Sequence, residues 1–294
     1  MKDKKFLIVD ILYILGIILP LALAVTLKVL FTPASEGVAI HGAIIFFTIP
    51  MPIQDLPITE SQVNSWCVLV LIAFLCLFLV HGVKEKCGTK RQLVAEWIVE
   101  KVDGLVKDNM GEFFMEFSPF ICAILALSAF SSLMTLVGLY PPTSDINVVA
   151  GWAILVFFLI THYKLKGGVK HYLKGFTEPI VAFTPINIIS EVATPLAMSF
   201  RHYGNVLSGT VISALVATAL QGLSGLVLGW IPVIGDIPFL QIGIPAVLSV
   251  YFDIFSGCLQ AFIFAMLTML YVSGGFPADL YQERMKKKEA KKKK

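Results

Sequence analysis

Arg201 is the residue in this chain whose placement most demands a chemical reason. It is the only lysine or arginine between Lys174 and Arg284, in a stretch that is otherwise mostly apolar. A charged side chain at bilayer depth costs about 2.5–3.5 kcal/mol on insertion scales. Snorkelling to the headgroups relieves such a cost, but apolar residues extend far on both sides of Arg201. Arginine also keeps its proton in surroundings where a lysine loses one. A permanent cation held at that depth favours the ionised form of any carboxylate passing in front of it and repels a leaking proton.

Further polar groups stand at helical spacings around it. Asn205 follows by one turn, on the same face. Glu191 and Asn187 precede it, and in a later apolar run Asp253 precedes Gln260 by two α-helical turns, which places both on one face. Intramembrane acidic and polar groups of this kind mark ion routes. Asp145 stands in the turn Tyr140-Pro-Pro-Thr-Ser-Asp145, with Asn147 just beyond. It reads either as a group at the mouth of such a route or as the N-cap of the next helix. His202 and Tyr203 point in other directions than Arg201 and read as packing residues.

Covalent chemistry is not legible. The sequence has no P-loop, no HExxH, no GxSxG and no CxxCH, and its five histidines and five cysteines are scattered. We therefore expect no catalytic residue, no cofactor and no bound metal.

The elements that must position these groups are membrane spans. The chain has 294 residues, 57% hydrophobic and 15% charged, with a mean hydropathy of +0.82. Soluble domains carry about 25% charged residues. Apolar runs predict spans at 6–31, 64–81, 117–139 and 146–163, then a long run from 176 and a last one over 242–272. The first run is too long for a signal-peptide core, so it reads as a retained helix. Residues 32–63 form a loop. In the basic loop 83–115, Leu93, Val94, Trp97, Ile98, Val102, Leu105 and Val106 share one helical face, which predicts a helix lying in the interface. From Val181 to Gln221 only Glu191 and Arg201 are charged. As one helix this run measures about 60 Å against a hydrocarbon core of about 30 Å. It must tilt steeply, bend near Pro185 or Pro195, or lie partly in the plane.

Three segments carry a family resemblance. Pro195, then Ser199-Phe-Arg201-x-Tyr-Gly204-Asn205 and Gly209, resembles the signature of subunit a of the F-type rotary ATP synthases. Leu259-Gln260-Ala-Phe-Ile-Phe264 resembles its second signature, and Pro142-Thr-Ser-Asp145-Ile-Asn147 a third. They occur in the family's order, across roughly residues 64–275. The resemblance implies an all-α integral membrane protein of about six transmembrane helices, with two long, tilted C-terminal helices forming a hairpin. It implies an ion-translocating stator with two half-channels, and a function-essential Arg201 facing a carboxylate of the c-subunit ring, with Gln260 opposite the arginine. Asp253 and Asp145 are then candidates for the outer half-channel, and Glu191 and Asn187 for the inner one. Asn205 orients the guanidinium or bonds to the next helix. The implied partners are the c ring, the peripheral-stalk b subunits, the other synthase subunits and the bilayer. Proton and sodium both remain open as the coupling ion. Thr210 departs from the family, many of whose members carry a glutamate there. The domains expected are an extra helix over 1–31, an extracytoplasmic loop over 32–63 and the subunit a domain over 64–294. The competing reading is a secondary transporter using Arg201 to bind an anionic substrate, but the two halves of the chain show no internal repeat.

Charge sets the expected orientation. Of the 23 lysines and arginines, all but Lys28 and Arg201 fall in the N-terminus, the loops 83–115 and 164–175, and the tail. These segments alternate with loops bare of basic residues, so both termini are expected in the cytoplasm, at the cell membrane. The lysine tail reads as a stop-transfer anchor rather than a nucleic-acid site. Cysteine-accessibility labelling should place residues 84–91 and the tail on the cytoplasmic side and residues 55–62 outside; an outward tail would reverse the assignment.

Overall fold

The computed structural model of the chain describes residues 2–32, 42–52, 54–84, 89–178, 180–228, 243–282 and 286. Among the described residues, six helical stretches are long and apolar enough to cross a membrane: Phe6–Phe31, Glu60–Val80, Glu112–Val137, Ile146–Leu165, Val181–Val227 and Val247–Gly274. The all-α membrane architecture expected from the sequence is therefore the one observed. The expected lysine tail beyond 286 and most of the predicted 222–245 loop lie outside the described residues.

Helix α1 (Lys2–Phe31) carries Pro20 in its interior. The Cys67 thiol of α2 (Glu60–Val80) donates to the Pro20 carbonyl at 3.4 Å. Inside a membrane a neighbouring helix commonly takes up polar groups in this way. The segment between these helices is not the plain loop expected. It contains an antiparallel hairpin of β1 (Ile45–Ile49) and β2 (Leu56–Thr59), paired from Ile45 with Thr59 to Ile49 with Leu56. Phe46 and Ile58 bury their side chains with Ala24, Val63, Cys67, Val68, Met134 and Leu139. The second span accordingly begins at Glu60, four residues before the apolar run, because a polar first turn is satisfied inside the protein.

Helix α3 (Lys90–Met110) is capped by Thr89, whose hydroxyl accepts from the Gln92 amide, and ends at Gly111 with φ of 87°. Its apolar face divides. Leu93, Val94 and Trp97 stay exposed, as an interfacial helix requires, whereas Val106 and Met110 are buried in the main core. A 3-10 turn (Glu112–Phe117) leads into α4 (Ser118–Leu133), and a second (Met134–Val137) prolongs it to Gly138 in the left-handed region. Helix α5 (Ile146–Leu165) and the short α6 (Val169–Thr177) follow.

Helix α7 (Thr184–Leu228) runs 45 residues, straight through Pro195. At 1.5 Å per residue it is about 67 Å long, so spanning a core of about 30 Å demands steep tilt. Pro185 falls in its first turn, where proline costs nothing. The last run is α8 (Ile244–Ser249), a π-helical stretch (Val250–Ser256) and α9 (Gly257–Gly274). The main core joins α3, α4, α5 and α9 through residues such as Val106, Ile121, Val156 and Phe264; α7 contributes only Met198 to it. Helix α7 is thus a flanking element, with Ile186, Ile189, Leu196, Phe200, Ile212 and Leu215 exposed.

Gly257 marks the tightest approach of the last run to α4. A Cβ there would lie 2.6 Å from the Ser132 Cβ. Gly257→Ala should cost about 1–3 kcal/mol of stability by overpacking, read as thermal unfolding in detergent. Ser132→Gly in the same chain should recover most of it; no recovery would place the strain elsewhere.

Candidate functional site

The buried face of α7 is what aims Arg201. Pro195, Met198, Ser199, His202 and Gly209 are buried at helical spacing. His202 Nε2 lies 3.3 Å from Ser128 Oγ of α4, and its ring meets Trp152 and Phe264 edge-on at centroid distances of 6.0 and 5.7 Å. A Cβ on Gly209 would stand 3.2 Å from Phe252, so a small residue lets the π stretch approach. His202 is therefore a packing residue, as its direction on the helix implied. With that face fixed, Arg201 points outward and is exposed. Ala193, Ala197, Gly204 and Ser208 share its side of the helix, three or four residues apart. Such small residues leave room for another helix to approach closely. Arg201 forms no ion pair among the described residues, although carboxylates elsewhere in the chain are paired.

Asn205 does not bond the guanidinium. Its amide donates to Ser256 Oγ at 2.8 Å and ties α7 to the π stretch. The second alternative from the sequence, a bond to the next helix, is the one realised. Asp253 sits within that π stretch, half-buried, with the hydroxyls of Thr135 and Ser249 facing it. Ser132, Thr135, Val206, Gly209 and Gly257 line a small cavity with it. The wider π turn means that seven residues no longer equal two turns, so the one-face argument for Asp253 and Gln260 does not hold across it. Gln260 is 5% exposed, packed inside, and makes no bond to Arg201 among the described residues. Thr210 donates back to the Leu207 carbonyl at 2.8 Å, a bond within its own helix.

Glu191 and Asn187 lie toward the start of α7, beside a cavity of about 380 Å³. Lys164, His171, Tyr172, Ser190 and Thr194 complete its polar lining. Glu191 is not free: Lys164 Nζ donates to both its oxygens at 2.8 and 2.6 Å. Asn187 donates to the carbonyls of Phe176 and Glu178 at 2.8 and 3.0 Å, fastening α7 to the segment after α6. Burial, and then the charge of Glu191, holds the Tyr172 phenol above its ordinary value. Asp145 is an N-cap, accepting from the Asn147 amide at 2.9 Å and its side chain at 3.1 Å. It also accepts from Ser61 Oγ at 2.5 Å.

The sequence-derived residues thus do not form one cluster: Glu191 and Asn187 share a cavity, Asn205 bonds to the π stretch while Arg201 faces outward, Asp253 and Asp145 meet hydroxyls of their own, and Gln260 is packed inside. Lys164, Ser256, Thr135 and Ser61 were not among the expected residues. Lys164 had been read only as a loop charge, and nothing in the order of residues joins the others to their partners.

These features define a polytopic α-helical membrane protein that carries an outward-facing cation on a long flanking helix. The chain belongs to the ATP synthase A chain family, which matches residues 63–273. ATP synthase subunit a of Desulforamulus reducens is 30% identical over 217 residues, covering 73% of this chain and 78% of that protein. ATP synthase subunit a of Staphylococcus carnosus is 28% identical, covering 76% and 95%. The sodium ion specific ATP synthase subunit a of Propionigenium modestum is 25% identical, covering 83% and 88%. As a member of this family, the chain is a component of the ATP synthase membrane sector, associates with other subunits of that complex, and serves ATP synthesis and ion transport.

The Lys164–Glu191 pair is testable by itself. Lys164→Met leaves a largely buried carboxylate without its donor and should cost about 1–3 kcal/mol in detergent unfolding. Lys164→Arg should retain most of that, and adding Glu191→Gln to Lys164→Met should recover part. Strict additivity of the two changes would mean that the contact carries no coupling energy.

Proposed function

We propose that this chain is the ion-translocating stator of an F-type ATP synthase, with Arg201 separating two offset half-channels. The observation that carries the reading is an exposed guanidinium, without an ion pair among the described residues, on a strip of small residues, on a helix whose other face is locked into the protein. A partner helix lying along that strip would bring its own carboxylate within a few ångströms of the cation. At 4 Å and an effective dielectric of 20, the ionised carboxylate gains about 4 kcal/mol. It releases its ion as it reaches Arg201 and takes up another after passing. The c-subunit ring is the partner that supplies such carboxylates in succession, and rotation follows from the succession. The b subunits hold the stator against the ring.

The polar groups supply the routes. The cavity at Glu191 and Asn187 lies toward the start of α7 and forms the inner half-channel. Asp253, in its small cavity under Thr135, and Asp145 at the turn before α5 belong to the outer one. The half-channels are offset because α7 is steeply tilted and Arg201 divides it. Gln260 backs the site from α9. The basic loops support a topology with both termini in the cytoplasm, at the cell membrane. The chain does no covalent chemistry; the ion is a proton, with sodium the second reading, which the sodium-specific relative favours.

The test is Arg201→Ala in a complex whose assembly is verified by the presence of the ring. ATP synthesis should fall to background while passive ion conduction through the membrane sector persists or rises. Arg201→Lys should rescue little, because an ammonium lacks the guanidinium's fork and loses its proton more readily. A merely structural arginine predicts loss of assembly, with synthesis and conduction vanishing together; a transporter arginine predicts lost solute uptake with synthesis intact. Normal synthesis in the assembled variant ends this reading.

A further inference from the structure

We propose that the N-terminal helix positions the outer mouth, acting through Lys28 and Glu60 on the Tyr140–Asp145 turn. The proposal rests on the half-channel reading above. Helix α1 lies outside the residues that the family matches, and its Lys28 is an anomaly of the charge pattern. It is the only lysine or arginine besides Arg201 outside the basic segments, at the end of α1 where the charge rule calls for none.

The structure accounts for it. Lys28 Nζ lies 3.1 Å from Glu60 Oε1, and Glu60 is 2% exposed. A carboxylate buried that deeply is costly unless it is paired and hydrogen-bonded. The same Oε1 accepts from the Tyr140 amide at 3.0 Å. One turn further along α2, Asn64 donates to the Tyr140 carbonyl at 2.8 Å. Between them Ser61 donates to Asp145. The first turn of α2 therefore grips Tyr140 by both backbone groups and Asp145 by its carboxylate. Lys28 supplies the opposite charge that holds the Glu60 carboxyl in place. Helix α1 is itself held on α2 by the Cys67 bond to Pro20 and by Gly16, whose missing Cβ makes room for the Phe74 ring.

Lys28 is a positioning residue. It touches neither Asp145 nor α7 but fixes the turn that carries Asp145, through Glu60. Loss of the ammonium leaves the buried Glu60 carboxyl without its ion pair, and that loosens the hold on Tyr140. The neighbouring Thr143 and Ser144, buried at 0% and 5% exposure, then open to the outer solution more often.

The experiment uses a Ser144→Cys reporter in the full chain, within the assembled complex, with every native cysteine except the buried Cys67 replaced. A membrane-impermeant thiol reagent is added from the outer side. In Lys28→Met, labelling at 144 should accelerate about tenfold, since a buried thiol reacts only through local opening, and ion-driven ATP synthesis should fall several-fold. Lys28→Arg should restore both. Unchanged labelling in an assembled Lys28→Met complex overturns the proposal, as does a Lys28→Arg variant as defective as Lys28→Met. If Lys28→Met does not assemble, Lys28→Met with Glu60→Gln decides, because the uncharged glutamine still accepts from the Tyr140 amide and needs no ammonium: recovered assembly and protection at 144 support the clamp, and failure to assemble there too overturns it. Labelling needs no ion coupling, so its outcome is independent of whether Arg201 performs the role proposed above.

Discussion

A guanidinium without a partner is the constraint on which this structure depends. Charges in apolar surroundings are ordinarily neutralised, paired or drawn to the surface. The chain does pair other embedded charges, Glu191 with Lys164 and Glu60 with Lys28. Arg201 alone among the groups at the centre of α7 is left unpaired among the described residues and turned outward. Holding it so requires a helix that cannot rotate to bury it. Met198, His202 and Gly209 meet that requirement by packing the adjoining face against α4, α5, α9 and the π stretch.

The same constraint explains why α7 flanks the bundle instead of joining its core. A helix buried all round offers no surface on which another protein could meet the arginine. A helix bound on one side, with small residues beside the cation, leaves room for another helix to approach. Its 45 residues exceed a perpendicular span about twofold. The polar groups near its start and those packed against its middle are therefore displaced along the membrane as well as through it.

The acidic residues divide by how their charge is met. Asp145 is satisfied by a helix N-terminus and a hydroxyl, Glu60 by an ammonium and an amide, Glu191 by an ammonium bonded to both oxygens. Asp253 has only hydroxyls and a widened helical turn around it. That separates Asp253 chemically from Glu191, although the two looked alike as acids in apolar runs.

The spans, their approximate ends, the excess length of the helix around Arg201 and the family itself were all legible in the sequence. Hydropathy, charge alternation and local motifs depend on neighbours along the chain, and a membrane leaves helices little alternative. The polar first turn at Glu60 was not legible as part of a span, because its partners Lys28 and Tyr140 lie far away in sequence and only packing brings them together. The hairpin before it was missed for the same reason: two short strands are stabilised by Phe46 and Ile58 burying against other elements, not by their own pattern. The seven-residue spacing of Asp253 and Gln260 was legible, but its meaning was not, since a π stretch intervenes and its hydrogen-bond register is set by how Gly209 and Ser132 let that segment pack. Sequence placed the arginine in the membrane; only the tertiary structure decided that it faces outward, because which side of a helix is buried depends on what the other helices press against it.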